Sequence, residues 1–401
     1  MHLNIRNVAV RASAVSMLCL AACEGEPRQE STQQQTWEEF RAQVYQEPDT
    51  GIFIVNGDEP ILNEDRLREF YERMSGKAVL ANEQENLGTT RQPLTLLDIP
   101  GWANRWSIPA ARNLTYCISS TSFGGNYARV VSAMTAAANA WKNTGANLQF
   151  VHASSLDSSC DNTTNVVFNV RMVANQPYLA RAFFPPDPRY AREILIDTSS
   201  FGNISPWTLT GVLRHELGHA LGFRHEHIRP EAGGACPDES DPYWRAITAY
   251  DSASVMHYPQ CNGTNIGDLN LTATDAVGVR AIYPVALLAG QSLQTGQSLT
   301  SSDGRFTLVM QGDGNLVHYR NGQGALWSTA TWNTNGRSAW MQDDGNFVLY
   351  STSTPTVGAH LWHSNTYGNA GAYLAIQNDG NLVVYNSTGV TPLWTSNTGG
   401  Q

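Results

Sequence analysis

One nine-residue pattern occurs three times in the last third of the chain and limits that region to a single kind of architecture. Gln311-Gly312-Asp313-Gly314-Asn315-Leu316-Val317-His318-Tyr319 is followed on the same plan by Gln342 to Tyr350 and by Gln377 to Tyr385, so that each copy reads Q-x-D-x-N-x-V-x-Y. Self-similarity of this kind means that each copy is one small unit packed against its neighbours. Each copy opens on an Asp-Gly-Asn turn and continues with alternating residues, which predicts a turn and then a short strand. A tryptophan follows each strand, namely Trp327, Trp362 or Trp394. Indoles dominate a small β core, so these three are expected to be core residues.

The repeats resemble the bulb-type mannose-binding lectins, whose fold is a β-prism, and the resemblance covers roughly residues 285–401. It implies an all-β lectin domain that binds mannose-containing glycans. Alternation along a strand sends the polar residues of one copy to one face. Gln311, Asp313, Asn315 and Tyr319, then Gln342, Asp344, Asn346 and Tyr350, then Gln377, Asp379, Asn381 and Tyr385 could therefore bond sugar hydroxyls together. The valine of each copy would lie against the apolar face of the ring.

The chain has 401 residues, which at about 150 per domain allows two or three domains. Lys and Arg number 25 against 35 Asp and Glu, and the net charge of -10 argues against nucleic acid as a partner. With 41% hydrophobic residues, 15% charged residues and 11 tryptophans, the composition is that of folded domains. At the start, Arg6 and Arg11 precede an apolar run, Ala12 to Ala22, that is too short to span a bilayer, so residues 1–23 read as an export signal. Leu20-Ala21-Ala22-Cys23 resembles the lipobox of bacterial lipoproteins. That resemblance implies a lipid on Cys23, membrane attachment through this lipid alone, and a secreted or outer-surface location on a bacterium.

Export leaves Cys117, Cys160, Cys236 and Cys261 in an oxidising compartment, where two disulfides are expected. Four cysteines allow three pairings; joining Cys117 to Cys160 and Cys236 to Cys261 closes the shorter loops. Residues 24 to about 48 are polar and read as a tether, followed by a short strand at Ile52 to Val55 and an Asn63-capped helix to Met74. This small segment cannot bury much alone and is expected to lean on another unit. From about residue 96 the pattern becomes α+β. Strands are expected at Leu114–Ser119, Leu148–His152, Val166–Val170 and Glu193–Asp197, with a helix over Tyr127–Lys142. A second long helix is expected to start at Ser205-Pro206 and run through Leu213 to Leu221.

That second helix carries the chemistry. His215 and His219 stand at i and i+4, so both imidazoles leave one face and can reach a single ion, with Glu216 between them. Gly222 can adopt positive φ, end the helix and turn the chain so that His225 approaches from another side. Three neutral imidazoles suit zinc and leave one position open, the arrangement of a catalytic metal rather than a structural one. Glu216 is then placed to take a proton from a metal-bound water.

The segment His215 to Glu226, HELGHALGFRHE, together with Ser254-Val255-Met256-His257-Tyr258, resembles the metzincin zinc peptidases, nearest to the astacin family. The resemblance implies that Met256 forms a turn beneath the ligands, that Tyr258 is a further ligand or a donor to the oxyanion, and that Glu226 contacts the mature N-terminus. Phe53 to Asp58 resembles the astacin-type propeptide, in which an aspartate takes the open position on zinc, here Asp58. His227-Ile228-Arg229-Pro230-Glu231 and the Gly-rich insert after it depart from the astacin pattern. The expected organisation is a signal peptide over 1–23, tether and propeptide over 24–95, an α+β metzincin-type zinc endopeptidase over 96–284 acting on protein or peptide, and the lectin domain over 285–401. The alternative is a carbohydrate-binding adhesin or bacteriocin-like lectin whose metal site is structural or only self-processing.

Overall fold

The computed structural model describes residues 35–75, 95–97, 105–233, 236, 244–265, 267–389 and 391–401. Residues 1–23, the expected export signal with Cys23, lie outside the described residues. No described helix is long and apolar enough to cross a membrane.

Residues 35–75, the expected propeptide, form two helices and one small sheet. Helix α1 (Trp37–Gln43) opens on a reciprocal cap, the Thr36 hydroxyl accepting from Glu39 N while the Glu39 carboxylate accepts from Thr36 N. It stands where polar composition predicts a tether. Trp37 and Phe40 are the anchors that composition conceals, packing on Phe70 and Tyr71. Strands β1 (Tyr45–Gln46), β2 (Phe53–Val55) and β3 (Glu59–Ile61) pair antiparallel in that order. Helix α2 (Glu64–Met74) then runs as its sequence indicates, with Asn63 Oδ1 accepting from Arg66 N at 3.0 Å.

The central unit continues with β4 (Thr95–Leu97), α3 (Ile108–Ala111), β5 (Leu114–Ile118), α4 (Ser120–Phe123) and α5 (Tyr127–Lys142). Next come β6 (Phe150–His152), β7 (Phe168–Val173), β8 (Ala180–Arg181), β9 (Glu193–Asp197) and α6 (Leu209–Ala220). Strands β10 (Phe223–Arg224) and β11 (Trp244–Ala246) flank β4, and α7 (Ala273–Ile282) closes the unit. The main sheet has the order β6-β5-β7-β9-β8, parallel except for the edge strand β8. Helices α5 and α6 cover one face, where Met134, Trp141, Val212 and Leu217 share a core with Phe168, Val170, Ile194 and Ile196. Full burial of each such side chain contributes about 1.5–3 kcal/mol.

Helix α6 starts later than Ser205-Pro206. Its cap is Thr208, whose hydroxyl accepts from Gly211 N at 3.0 Å and also donates to Asp268 at 2.9 Å, so a contact from a distant loop fixes the start. The helix ends at Ala220, and Gly222 has φ +100° as the turn toward His225 requires. Disulfides join Cys117 to Cys160 and Cys236 to Cys261.

Residues 285–401 form three four-stranded antiparallel sheets, one per repeat. The strands Leu316–Arg320, Phe347–Tyr350 and Leu382–Tyr385 follow the three Asp-Gly-Asn turns. The strand Val285–Leu287 joins the sheet of the third repeat, so the first and last parts of the region close on each other. Trp327, Trp362 and Trp394 pack edge to face, 5.3–5.5 Å apart, against the shared core. Tyr373 and Ala375 of the third sheet belong to the core of the central unit, and Arg105 donates to Ile282 O and Gly389 O across the junction.

Candidate metal centre

Helix α6 sets His215 and His219 one turn apart, and the turn at Gly222 brings His225 back to them. The ring centroids are 4.8 Å (His215–His219), 5.3 Å (His215–His225) and 4.9 Å (His219–His225) apart. Nδ1 of His215 lies 2.8 Å from Val255 O, and Nδ1 of His219 lies 2.8 Å from Phe223 O. A carbonyl only accepts, so each Nδ1 carries the proton and each Nε2 presents a lone pair. The two Nε2 atoms are 3.2 Å apart in a buried space, an opposition that a shared cation resolves. Burial, and then the neighbouring His219, hold the His215 imidazole well below its ordinary range, in the neutral form a metal needs.

Asp58, in the turn between β2 and β3, completes the cluster. Its Oδ1 is 3.0 Å from His225 Nε2 and 3.6 Å from His219 Nε2, and its Oδ2 is 3.7 Å from His215 Nε2. The four donor atoms lie within 4.8 Å of one another. Three imidazole nitrogens and one carboxylate oxygen make a donor set that suits tetrahedral zinc, so the residues present fit that ion. The Tyr258 hydroxyl donates to Asp58 Oδ2 at 2.6 Å. Gly57 has φ +96°, and a Cβ there would stand 3.0 Å from the Tyr258 hydroxyl oxygen, so this turn needs glycine twice over.

Glu216 is fully buried, and neither of its carboxylate oxygens has a hydrogen-bond partner among the described residues. Burial, reinforced by the charge of Asp58, pushes its pKa well above the usual carboxylate range. A buried carboxylate without a partner is costly and marks a group kept for a ligand or a reaction.

Met256 passes directly beneath the helix. A Cβ on Gly218 would meet its Sδ at 2.3 Å, which explains the glycine between the two helical histidines. The turn is pinned by Asp275, which accepts from the Ser254 hydroxyl at 2.6 Å and from Val255 N at 2.9 Å. Met256 O accepts from Glu226 N at 2.9 Å. The Glu226 carboxylate is buried and accepts from Arg229 at 3.0 Å and from Asp251 N at 3.2 Å, so it holds the loop that follows the third histidine.

Two further anchors of residues 35–75 went unread in the sequence. Glu59 pairs with Arg224 at 2.7 and 3.1 Å, and Glu47 pairs with Arg181 at 2.7 and 2.8 Å while also accepting from the Tyr178 hydroxyl. No spacing rule links such distant partners; the one local signal is an acid directly after Asp58.

In the repeats the polar residues of each copy do come together, and much of their bonding is internal. The Gln carboxamide donates to the Tyr hydroxyl of its own copy at 2.8, 2.9 and 3.1 Å for Gln311–Tyr319, Gln342–Tyr350 and Gln377–Tyr385. Asp313, Asp344 and Asp379 each accept from the backbone N two residues on, at 2.9 Å. The amide oxygens of Asn315, Asn346 and Asn381 accept from Thr331 N, Thr366 N and Thr398 N. Val317, Val348 and Val383 are buried. Part of each expected sugar-binding set therefore also builds the turn, because a side-chain oxygen beside an Asp-Gly-Asn bend reaches the backbone first.

Residues 107–241 match the family model described as dual-action HEIGH metallo-peptidase, which implies a bound metal ion. The chain's own His215-Glu216-Leu217-Gly218-His219 differs from those five letters at one position. Curculin-2 of Molineria latifolia is 35% identical over 86 residues, 20% of this chain and 51% of that protein, so the chain spans about half the length of this curated relative. The chain is also similar to solved lectins. A Marasmius oreades lectin is 32% identical, covering 29% of this chain and 92% of its own, with a TM-score of 0.26. The mannose-specific agglutinin of snowdrop (Galanthus nivalis) bulbs, complexed with methyl-alpha-D-mannoside, is 35% identical, covering 25% and 89%, with a TM-score of 0.23. A domain-swapped lectin dimer from Mycobacterium smegmatis is 44% identical, covering 27% and 96%, with a TM-score of 0.16. The chain thus joins a metallopeptidase family match to similarity with mannose-binding lectins.

Proposed function

We propose that this protein is the latent precursor of a zinc endopeptidase of the metzincin type, exported and held near its substrates by a mannose-binding lectin module. The reading is carried by the buried His215, His219, His225 and Asp58 cluster beside a partnerless Glu216. A site that served only stability would have no use for an orphaned carboxylate, which weighs against an adhesin with a structural metal. Zinc, when bound, would polarise the scissile carbonyl and lower the pKa of a water. Glu216 takes the proton of that water and passes it to the leaving amine. Tyr258, released from Asp58, donates its hydroxyl to the carbonyl oxygen as negative charge develops there.

In the precursor Asp58 fills the place that water and substrate share, and Gly57 lets the backbone come close enough to deliver it. The repeats would bind mannose-type glycans through their Gln, Asp, Asn and Tyr side chains, raising the local concentration of glycosylated substrate. Export, and a lipid on Cys23, complete the proposal.

The test is hydrolysis of casein after removal of the prosegment. Glu216→Ala should retain stoichiometric zinc and lose hydrolysis; a wild type that binds zinc and cleaves nothing once the prosegment is gone would overturn the peptidase reading. Retention of the full chain on mannose-agarose, reversed by free methyl mannoside, tests the lectin part on its own.

A further inference from the structure

The prosegment grips the central unit on both faces of its sheet. The histidines belong to the face covered by α6. The other face is set by register: Arg181 of β8 pairs with Leu195 of β9, and residues opposite each other share a face. Leu195 packs with Val173, Tyr178 and Ala191 in a cluster separate from the core beneath α6, so Arg181 lies on the face of the sheet away from α6, although its charge still reaches Glu216. Onto this outer face the prosegment lays Ile52 and Ile54, and it inserts Glu47 against Arg181. The result is dry, with Arg181 0% and Glu47 2% exposed.

Arg181 is built into the sheet edge independently of Glu47. Its Nη1 donates to Ala182 O at 3.4 Å and to Glu193 O at 3.3 Å, which fixes the guanidinium in place. The Glu193 carboxylate is held by Arg171 and Asn169 and does not replace Glu47. Removing the prosegment therefore opens the histidines and, on the opposite face, bares an apolar patch with one fixed cation in it. A held guanidinium with its Nε and Nη2 free is a receptor for a carboxylate, and apolar surface around it marks a place where polypeptide docks.

We propose that in the activated protein this outer face is a docking site for polypeptide substrate, beside the edge strand β8 and outside the metal cluster. It selects segments in which an acidic residue precedes branched apolar ones as Glu47 precedes Ile52 and Ile54. The proposal rests on the peptidase reading above, and the prosegment is its template. Its chemistry is distinct from that of the metal centre, because residues 45–54 contain nothing that reaches the histidines.

The probe is a labelled peptide of residues 44–56, which stops short of Asp58. Activated protein carrying Glu216→Gln should bind it saturably, one to one, and Glu47→Gln in the peptide should weaken binding at least tenfold. In the active enzyme the unlabelled peptide should leave hydrolysis of a short quenched substrate unchanged. Joining that substrate to the 44–56 sequence through a flexible linker should raise kcat/KM at least tenfold, and Glu47→Gln in the linked sequence should abolish the gain. Arg181→Met should remove the gain, read as the ratio of kcat/KM for the linked substrate to that for the short substrate within the same variant. Absence of saturable binding by folded, metal-loaded protein would overturn the proposal, as would inhibition of the short substrate or equal kcat/KM with and without the segment. Binding without hydrolysis of any substrate would sink the peptidase reading and leave the docking face standing.

Discussion

Gly57→Ala tests the proposed latency without touching Asp58, the carboxylate proposed to impose it. An alanine at φ +96° costs about 1–2 kcal/mol relative to its relaxed backbone. Its Cβ would also stand 3.0 Å from the Tyr258 hydroxyl oxygen and 3.4 Å from Cε2, and forcing that ring aside adds about 1 kcal/mol. Both costs fall on the docked state alone, because a released prosegment lets the turn relax. Docking should weaken by about 2–3 kcal/mol, a shift of roughly thirtyfold or more toward the open form. The measurement is hydrolysis of a quenched peptide by precursor shown by mass spectrometry to be uncut, with Asp58→Ala alongside as the fully unlatched reference. If Gly57→Ala matched the wild-type precursor within twofold while Asp58→Ala was active, the turn would not be what positions Asp58, and the reasoning would fail.

Two substitutions address the frame of the site. Gly218→Ala would put a Cβ 2.3 Å from Met256 Sδ and 3.2 Å from Trp141 Cζ2, so thermal unfolding should shift down by the equivalent of about 1–3 kcal/mol and zinc retention should weaken. Adding Met256→Ala should recover part of the loss, and strict additivity of the two changes would refute direct contact. Asp187 is pushed by burial from its ordinary 3.8 up to about 6. A pKa raised in the folded state means that the folded chain keeps a proton the unfolded chain has released, so wild-type stability falls as pH rises from about 4 to about 6. Asp187→Asn lacks this term. The stability of the variant relative to wild type should grow across that window by up to about 3 kcal/mol and then level off, and a difference independent of pH would refute it.

What could be read from the sequence was what local geometry decides. The Asn63 cap and the periodicity of Tyr127 to Trp141 place α2 and α5 correctly, since cap, spacing and end lie within a few residues of one another. The three histidines were legible for the same reason: an i, i+4 pair and a glycine turn are short-range facts. Helix α1 was hidden because averaging over a polar stretch masks two aromatic anchors, although Thr36 and Glu39 already spelled a capping box. The start of α6 moved to Thr208 because Asp268 supports that hydroxyl from 60 residues away. Glu47 with Arg181 and Glu59 with Arg224 are separated by 134 and 165 residues, and only the folded chain brings those charges together.

The way the proposed prosegment is held bears on how it would let go. Glu47–Arg181 and Glu59–Arg224 are nearly excluded from water. The desolvation of such pairs cancels much of their attraction, yet parting them before water enters leaves a charge transiently buried alone, at a cost of about 3–5 kcal/mol. Their contribution is therefore mostly to register and to slow release, while retention comes from the covalent link. As long as the chain is intact the prosegment faces its site at an effective concentration on the order of millimolar. A cut between α2 and β4, in the stretch 76–94, removes that advantage and leaves residues 45–61 bound only by their own contacts. Cutting and activation should then separate: precursor cut at high concentration stays inactive, and activity appears after dilution with a lag set by prosegment release. Excess prosegment added back should reverse it. Immediate full activity at every concentration would mean that the two arginines rehydrate at no cost, and that the anchors hold nothing once the chain is broken.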